Sequence, residues 1–457
     1  MWNETPIQKL DGALDGNELY IKRDDLLTFS FGGNKARIAL EYYADMQAKG
    51  KNCLVGYGHA RSNLCRALAN LAAAQGVCCH IVSPMEDGEA VQRETANSRM
   101  VKLCGAEIHT CLRSQVADTV EAVMAECERR GYRPYYINGD KYGRGNEATP
   151  VAAYDKAYSQ IRQQSAQLGL EFDYVFLPCG TGMTQAGLLA GQAKCGGREC
   201  VVGISVARPA ETAQAVVARY LDAYLPEAAG VEERIHIVED YLCGGYGKDC
   251  PALRETILSV FRQYGIPMDP TYTGKAFYGM SEYLKKNGVQ GKKILFLHTG
   301  GAPLFFDFLR GYRETPVIQS CTDAHRLERF LAQIEKQLPV SLSSRVDLLA
   351  YAQKVIDNGH VFVIEEAAEI VAATLFYCND TVEKKAYWTL LGTLRQCEGK
   401  GYARLLVETM EAHCRKAGME TIHLHTEKAN TPAIAFHSNR GYLIEGLEPK
   451  VHMVKRL

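Results

Sequence analysis

The hydrophobic positions in the first two thirds of the chain alternate between short apolar runs and longer amphipathic segments. Short runs predict buried β-strands, and apolar residues that recur every three or four positions predict helices. The predicted strands cover residues 52–56, 77–82, 107–110, 135–137, 174–177, 199–206 and 293–298. The predicted helices cover residues 36–48, 62–75, 90–103, 116–130, 150–167, 210–224, 253–264 and 275–286. This alternation favours an α/β fold in which crossover helices connect parallel strands.

The pattern changes around residues 310–344, and we expect a second domain from about residue 320 onward. A charged amphipathic helix is predicted at 322–337. Two apolar runs at 361–364 and 370–376 flank a short turn, which is typical of an antiparallel hairpin. The remaining predicted elements are strands at 386–391 and 421–425 and helices at 402–416 and 431–439.

Composition and charge exclude several classes of protein. The chain of 457 residues is too long for a single hydrophobic core, so two or three domains are expected. Its 47% hydrophobic and 23% charged residues are typical of a soluble globular protein. A net charge of −1 gives no general attraction to nucleic acid or an anionic membrane, and no apolar run is long enough to span a bilayer. The N-terminus lacks a secretory signal pattern. The 16 cysteines are scattered through apolar segments, so we expect reduced thiols in a cytoplasmic protein. Structural zinc is an alternative that no cysteine spacing supports, and we therefore expect no metal.

The stretch FGGNKARI at 31–38 carries the first candidate chemistry. Its Gly-Gly turn lets the backbone approach a neighbour closely, because glycine has no Cβ. Asn34 offers an amide, and Lys35 offers an amine at the expected start of a helix, where the helix dipole disfavours its charged form. A neutral lysine can form a Schiff base with a carbonyl compound. The alternative is a solvated turn with a surface lysine.

A second glycine-rich stretch, CGTGMTQAG at 179–187, lies between a predicted strand and a predicted helix. Free backbone N–H groups at a helix start bind phosphate, and the hydroxyls of Thr181 and Thr184 add donors. The stretch is not a Walker A loop, because no Gly-Lys-Ser/Thr ends it. A Schiff-base lysine together with a separate phosphate loop is what pyridoxal 5'-phosphate (PLP) requires.

Eight motifs in order resemble the fold-type II PLP enzymes of the 1-aminocyclopropane-1-carboxylate deaminase / D-cysteine desulfhydrase family, over about residues 5–312. They are YIKRDDL, GGNKAR, GYGHARSN, KYGRG, CGTGMTQAG, GGYG, MDPTYTGKA and LFLHTGG. The resemblance implies a tryptophan-synthase-β-like PLP domain of two subdomains with parallel sheets. This domain would cover residues 1–315, with the small subdomain inserted at about 50–150.

The resemblance also implies roles for the residues that contact the cofactor. Lys35 would anchor PLP as a Schiff base, and Asn34 would bond its ring hydroxyl. Thr273 would lie beside the pyridine nitrogen, where the deaminases have Glu. A neutral threonine makes the ring a weaker electron sink, which favours elimination of a good β-leaving group over opening of a cyclopropane ring. The phosphate would be held by Gly180, Thr181, Gly182, Met183 and Thr184.

The residues on the substrate side match the family only in part. Ser62 and Asn63 would bind the substrate carboxylate, and Ser62 would also help to move a proton. Tyr246 and Tyr272 match the two tyrosines that face the substrate, although ordinary packing would also explain them.

Two departures from the family surround the Ser-Asn pair. Arg61 stands where the family usually has Gln, and Leu64 where it usually has His. Arg61 either binds a second acidic group of the substrate in bidentate fashion or pairs with a neighbouring Asp or Glu. The substrate therefore differs, on this expectation, from both aminocyclopropane carboxylate and D-cysteine.

The segment LGTLRQCEGKGYARLL at 391–406 contains Gln396-x-x-Gly399-x-Gly401, which includes Lys400, between a predicted strand and helix. Amides at such a helix start can bind a pyrophosphate. Together with NTPAIAFHSNRGY at 430–442, it resembles a mixed α+β GNAT acyltransferase domain at 316–457. The resemblance implies that the loop binds acetyl-CoA, and that Asn430 helps to line the pantetheine arm. His437 occupies the position of the family's proton-donating Tyr, unless it is a surface histidine on a helix.

The leading hypothesis is a bifunctional enzyme that acts in one amino-acid pathway. The first domain would be a D-cysteine desulfhydrase-like lyase or deaminase that releases ammonia or sulfide, and the second an acetyl-CoA-dependent N-acetyltransferase. β-Replacement or racemisation at the same PLP site stays open, with the product then acetylated. A PLP domain that senses an amino acid and regulates the acyltransferase is a further alternative. The expected partners are a small amino acid, acetyl-CoA and a second copy of the chain in a homodimer.

Overall fold

The computed structural model describes residues 4–12, 14–59, 61–85, 94–227, 230–311 and 316–457. The chain divides into two compact units, Met1–Tyr312 and Arg313–Leu457. Among the described residues, no helix is both long enough and apolar enough to cross a bilayer.

The first unit alternates strands and helices, as its hydrophobic pattern predicts. Its strands are β1 Ile7–Lys9, β2 Glu18–Lys22, β3 Cys53–Tyr57, β4 Cys78–Met85, β5 Glu107–Leu112, β6 Pro134–Tyr136, β7 Tyr174–Cys179, β8 Cys200–Ser205, β9 His236–Val238 and β10 Lys293–Leu297. Its helices are α1 Asn34–Ala48, α2 Asn63–Ala74, α3 Ala96–Leu103, α4 Val116–Arg129, α5 Ala148–Gln167, α6 Met183–Cys195, α7 Ala210–Tyr224, α8 Pro251–Tyr264, α9 Thr273–Lys286 and α10 Ala302–Gly311.

These strands form two sheets. The larger has the order β1-β2-β10-β7-β8-β9 and is parallel except for the edge strand β1. The smaller has the order β5-β4-β3-β6 and is wholly parallel. Helices cover both, which agrees with the near-continuous apolar runs of the strands, since parallel sheets are buried on both faces.

The second unit contains one mixed sheet of seven strands. Its strands are β11 Ile318–Ser320, β12 His360–Glu366, β13 Glu369–Asp380, β14 Lys385–Thr393, β15 Thr421–Thr426, β16 Leu443–Gly446 and β17 Val451–Arg456. Its helices are α11 Ala324–Ile334, α12 Leu348–Asn358, α13 Tyr402–Lys416 and α14 Thr431–Ser438.

The sheet of the second unit has the order β11-β12-β13-β14-β15-β17-β16, and only β14 and β15 are parallel. These two strands pair only over Lys385–Trp388 and Thr421–Leu424. The last part of β14 therefore pairs with β13 alone, and the chain continues from it into the Gln396–Gly401 loop.

Several elements depart from the sequence prediction. The predicted helix at 90–103 is a helix from Ala96, and its residues 90–93 lie outside the described part. The pattern did not indicate β9, α10 or α12, nor the strands β16 and β17. The missed strands are mostly short. They are stabilised by pairing with neighbouring strands, which the local hydrophobic pattern does not reveal.

The Asp24 carboxylate fixes the start of the first unit. It is fully buried and accepts hydrogen bonds from Arg37 Nε (3.0 Å) and Nη2 (2.9 Å). It also accepts hydrogen bonds from Thr5 Oγ1 (2.6 Å) and Tyr154 Oη (2.5 Å). Burial acts to raise the pKa of Asp24, but the Arg37 guanidinium and these hydrogen bonds outweigh it and lower that pKa. The cluster ties β2 to α1 and α5.

Replacing Asp24 by asparagine is expected to destabilise the first unit strongly. Asp24→Asn keeps the shape of the side chain but leaves Arg37 buried without its counter-charge, which costs about 3–5 kcal/mol. Calorimetry of the full chain should show its unfolding transition at a much lower temperature. The control Glu18→Gln removes an exposed ion pair with Lys9 and should change little. Equal, small shifts in both variants would contradict the assignment.

Candidate functional site

The Gly32-Gly33 turn holds Lys35 in place because neither glycine can be replaced without a clash. Both have a positive φ, 62° and 89°. A Cβ on Gly32 would lie 2.4 Å from the Asp25 carbonyl oxygen, and one on Gly33 would lie 2.4 Å from that of Thr299. The backbone therefore fits between two neighbouring segments, and α1 begins directly after it with Asn34 and Lys35.

Lys35 opens onto a cavity of about 750 Å³. Most of the residues that the sequence assigns to the PLP site line it. They are Asn34, Lys35, Ser62, Asn63, Gly180, Thr181, Gly182, Met183, Thr184, Tyr246 and Tyr272. Arg113, Arg208 and Arg219 line it as well, whereas none of the described lining residues is Asp or Glu. The cavity is therefore suited to anionic groups.

The amine of Lys35 is poised to lose its proton. Burial lowers the pKa of Lys35 to about 8, and Cys179 offsets this only in part. The neighbouring Asn34 donates from Nδ2 to Thr184 Oγ1 at 2.8 Å. That hydrogen bond connects the lysine turn to the glycine-rich loop, 150 residues later in the chain.

The glycine-rich loop connects β7 to α6. Gly182 precedes the helix with a φ of 81°, and a Cβ there would lie 3.1 Å from Val217 Cγ2. The first amides of α6 have no partner within the helix and belong to residues that line the cavity. A helix start beside a lysine and arginines fits a phosphate group.

Two tyrosines and a serine face the same cavity. The hydroxyls of Tyr246 and Tyr272 lie 2.6 Å apart and share a hydrogen bond. Burial raises the pKa of both, so both stay protonated at neutral pH. Ser62 caps α2 by accepting from Cys65 N–H at 3.2 Å, while Asn63 accepts from Asn97 Nδ2 at 2.9 Å.

Two predicted residues, Thr273 and Arg61, do not line the cavity. Thr273 is fully buried, and its hydroxyl accepts from Asp269 N–H (3.0 Å) and donates to Asp269 Oδ2 (2.9 Å). Sequence reasoning missed Asp269, which also accepts from the backbone N–H groups of Thr271 and Tyr272. An Asp a few residues before a helix is the signal that could have found it. Burial raises the pKa of Asp269.

Arg61 lies beside the GGYG loop. A Cβ on Gly247 would lie 3.6 Å from Arg61 Nε. Its positive charge acts to lower the pKa of Tyr246, which lines the cavity. Its side chain forms no hydrogen bond or ion pair with any described residue. The predicted alternative of a neighbouring acidic partner therefore finds no support among the described residues.

The second predicted site lies in the second unit, on the loop between β14 and α13. Gly399 and Gly401 have positive φ values of 73° and 84°, and Gly401 directly precedes α13. Gln396 lies in a short 3-10 turn. Lys400 Nζ bonds both oxygens of Glu366, at 2.7 and 2.9 Å, and Tyr402 donates to the same carboxylate. Two left-handed glycines just before a helix are typical of backbone turns that bind anions.

The other predicted residues of this unit lie on α14. Asn430 caps the helix by accepting from Ala433 N–H at 3.4 Å. His437 is buried against Trp388 and Tyr442, and its Nδ1 has no partner among the described residues. Burial lowers the pKa of His437 to about 4, so the ring is neutral at pH 7. A buried, neutral imidazole is not favoured as a proton donor. The role of His437 as the acid of the acetyl transfer stays a prediction.

Comparison with known proteins defines the class. The model of the pyridoxal-phosphate dependent enzyme family matches residues 2–300, and that of the acetyltransferase (GNAT) family matches residues 328–442. The chain therefore belongs to the pyridoxal-phosphate dependent enzymes and carries a C-terminal GNAT domain. The predicted family resemblance and fold class are confirmed.

Individual relatives narrow the class. The chain is 33% identical to a putative 1-aminocyclopropane-1-carboxylate deaminase of Pyrococcus abyssi, over 67% of this chain and 91% of that protein. It is 35% identical to the 1-aminocyclopropane-1-carboxylate deaminase of Mesorhizobium japonicum, over 65% and 92%. The crystal structure of an ACC deaminase homologue matches with a TM-score of 0.58 and 30% identity, over 68% and 93%.

The cofactors that these families imply, PLP and acetyl-CoA, fit the residues present. Lys35 and the start of α6 offer an amine and a phosphate site in one cavity, as PLP requires. The Gln396–Gly401 loop at the start of α13 suits a pyrophosphate.

Covalent capture of PLP by the cofactor-free protein should depend on pH. Because only the neutral amine attacks an aldehyde and the pKa of Lys35 is lowered to about 8, the rate should rise with pH and be half-maximal near pH 8. The visible absorbance of bound cofactor follows the reaction, and Lys35→Ala should abolish it. A midpoint near the ordinary lysine value of 10.5 would contradict this account.

Gly401→Ala should weaken acetyl-CoA binding. A left-handed backbone costs a non-glycine residue about 1–2 kcal/mol, so the free loop of the variant relaxes to another conformation. Binding must then restore the left-handed turn, which raises Kd about fivefold to thirtyfold. Titration calorimetry measures this change. The matched control is Gly418→Ala, because Gly418 also has a positive φ (78°) in open space but lies outside the loop. If both variants bind acetyl-CoA equally, the loop is not the binding element.

Proposed function

We propose that the chain is a bifunctional enzyme whose first unit removes a β-substituent from a small amino acid and, after hydrolysis of the product by one water molecule, releases a 2-oxo acid and ammonia. The second unit transfers the acetyl group of acetyl-CoA to an amine. The observation that carries the first half is the convergence of Lys35, Ser62 and the Tyr246–Tyr272 pair on one cavity. An amine that accepts protons and hydroxyls that donate them are the groups that elimination needs.

The residues divide the reaction between them. When bound, PLP supplies an electron sink that makes the substrate's Cα proton acidic. Lys35, whose pKa is lowered by burial, takes that proton. The hydrogen-bonded tyrosine hydroxyls donate to the departing group, and the 2.6 Å contact allows one hydroxyl to replace the proton that the other gives. Ser62 and Asn63 hold the substrate carboxylate.

The residues expected beside the pyridine nitrogen of PLP support elimination of a β-substituent over opening of a cyclopropane ring. The Thr273 hydroxyl is engaged with Asp269 in both directions and does not line the cavity, and no carboxylate is among the described lining residues, so the pyridine nitrogen would meet only neutral partners. A neutral partner stabilises a protonated ring less than a carboxylate does, which favours a substrate with a good leaving group. Asp269 contributes by fixing that hydroxyl.

We further propose that the substrate carries a second acidic group, which Arg61 binds. Arg61 stands one position before Ser62, close to Tyr246, and its guanidinium has no partner among the described residues. The cavity beside it contains cationic side chains and, among its described lining residues, no carboxylate. A guanidinium binds a carboxylate or sulfonate through two hydrogen bonds.

A substrate screen tests the proposed function. The purified full-length chain is incubated with D- and L-alanines that bear neutral or acidic β-substituents and with aminocyclopropane carboxylate, each with and without acetyl-CoA. Mass spectrometry should detect a 2-oxo acid from a β-substituted alanine, and an acetylated amine only with acetyl-CoA. Faster opening of the cyclopropane ring than release of any β-substituent would contradict the elimination assignment.

Arg61→Gln should change which substrates are used. Loss of a charged hydrogen bond is worth about 1.5–3 kcal/mol, so kcat/KM for acidic β-substituents should fall about tenfold to hundredfold. Neutral β-substituents serve as the internal control and should react as before. Arg61→Lys keeps the charge but loses the bidentate geometry. Its kcat/KM for acidic β-substituents should lie between those of the wild type and Arg61→Gln. An unchanged substrate profile in Arg61→Gln would reject this role.

A further inference from the structure

Three potential metal ligands meet in the small parallel sheet of the first unit. The ligand atoms of Cys53, Cys78 and His80 all lie within 4.8 Å of one another. Cys53 and Cys78 are paired residues at the starts of β3 and β4. Cys78 and His80 lie two residues apart on β4, so their side chains share one face of the sheet.

A fourth ligand comes from the helix that covers this face. Cys127, in the last turn of α4, places its Sγ 3.6 Å from Cys53 Sγ. Cys78 Sγ lies 3.4 Å from His80 Nε2. In a tetrahedral zinc site, with Zn–S near 2.3 Å and Zn–N near 2.0 Å, neighbouring ligand atoms are about 3.5–3.8 Å apart. The Cys53–Cys127 and Cys78–His80 separations match that spacing. Cys127 lies outside the group of three whose ligand atoms are all within 4.8 Å of one another, so a small shift of its side chain would complete the tetrahedron.

The other nitrogen of His80 has the partners that an outer shell provides. His80 Nδ1 lies 3.0 Å from His109 Nε2 and 3.6 Å from Glu107 Oε2. Glu107 Oε1 in turn accepts from Arg130 Nη1 at 3.0 Å. A metal-binding histidine typically directs its second nitrogen at such a group, which fixes the ring and leaves the first nitrogen free to bind the ion.

Most of this cluster is shielded from water. Cys53, Cys127 and His80 are almost fully buried. A divalent ion would release the thiol protons and satisfy all four ligands.

We propose that Cys53, Cys78, Cys127 and His80 form a structural zinc site. Thiolate and imidazole ligands in a closed tetrahedron are typical of structural zinc. Cys53 and Cys78 begin their strands, whereas Tyr57 and Pro84, near the other ends, line the cavity. The ion therefore joins β3, β4 and α4 at the edge away from the reaction, and it supplies no catalytic group.

Metal analysis of the full-length protein, purified with a reductant and without chelators, tests the site. Inductively coupled plasma mass spectrometry should find one zinc ion per chain. The protein reconstituted with cobalt(II) should show the intense absorption of tetrahedral thiolate ligation at the red end of the spectrum, away from the PLP band. A zinc content near zero, with no uptake from zinc chloride, would overturn the proposal. So would a weak octahedral cobalt spectrum, or a Cys53–Cys127 disulfide in the purified protein.

Variants identify the ligands. Cys53→Ser and Cys127→Ser should lose bound zinc, and Glu107→Gln, which keeps all four ligands, should weaken zinc binding about tenfold to hundredfold. The matched control is Cys111→Ser, because Cys111 is buried on the neighbouring strand β5 but is not one of the four ligands. Zinc retained in both ligand variants would show that the assignment is wrong, even if the wild-type protein binds zinc. The cobalt spectrum of the wild type needs no variant to fold.

Discussion

The lysine site depends on the hydrogen bonds that the buried carboxylate of Asp24 accepts. Asp24 is the shared acceptor for Arg37, Thr5 and Tyr154, so one charge fixes the positions of β2, α1 and α5. Its backbone oxygen also accepts from Gly33 N–H at 2.7 Å, one residue before α1. A buried charge is tolerated only when its partners are all in place. The same condition that stabilises this cluster therefore fixes the turn from which Lys35 projects.

The rest of the site follows from where parallel strands end. The glycine-rich loop follows β7, and Thr299 and Gly300 follow β10, its neighbour in the sheet. In open α/β sheets, ligands bind at the carboxyl ends of the strands, because the loops from neighbouring strands meet there. The hydrogen bond from Asn34 to Thr184 then links two loops that are far apart in the chain.

Sequence reasoning reached the parts of the site that local chemistry specifies. The Gly-Gly turn before Lys35 and the loop at 179–187 are visible because glycine, lysine and a following helix are adjacent in sequence. Asp269 was missed because its partner hydroxyl on Thr273 becomes evident only once the turn before α9 folds back on itself. For the same reason no metal site was expected: Cys53, Cys78 and Cys127 come from three elements, and only the β3–β4 register and the packing of α4 bring them together.

The chemistry of the two units restricts how they can share a pathway. An amide nitrogen is not nucleophilic. An amino acid acetylated on its α-amine therefore cannot replace the amine of Lys35 on the cofactor. Acetylation of the first unit's own substrate would therefore withdraw it from the PLP site. Elimination, in turn, removes the amine that an acetyltransferase would use. Both reactions can act in sequence on one α-amine only when the first retains it, as β-replacement and racemisation do. If elimination is the reaction, the acetyl acceptor must be a different amine or the second unit must compete with the first.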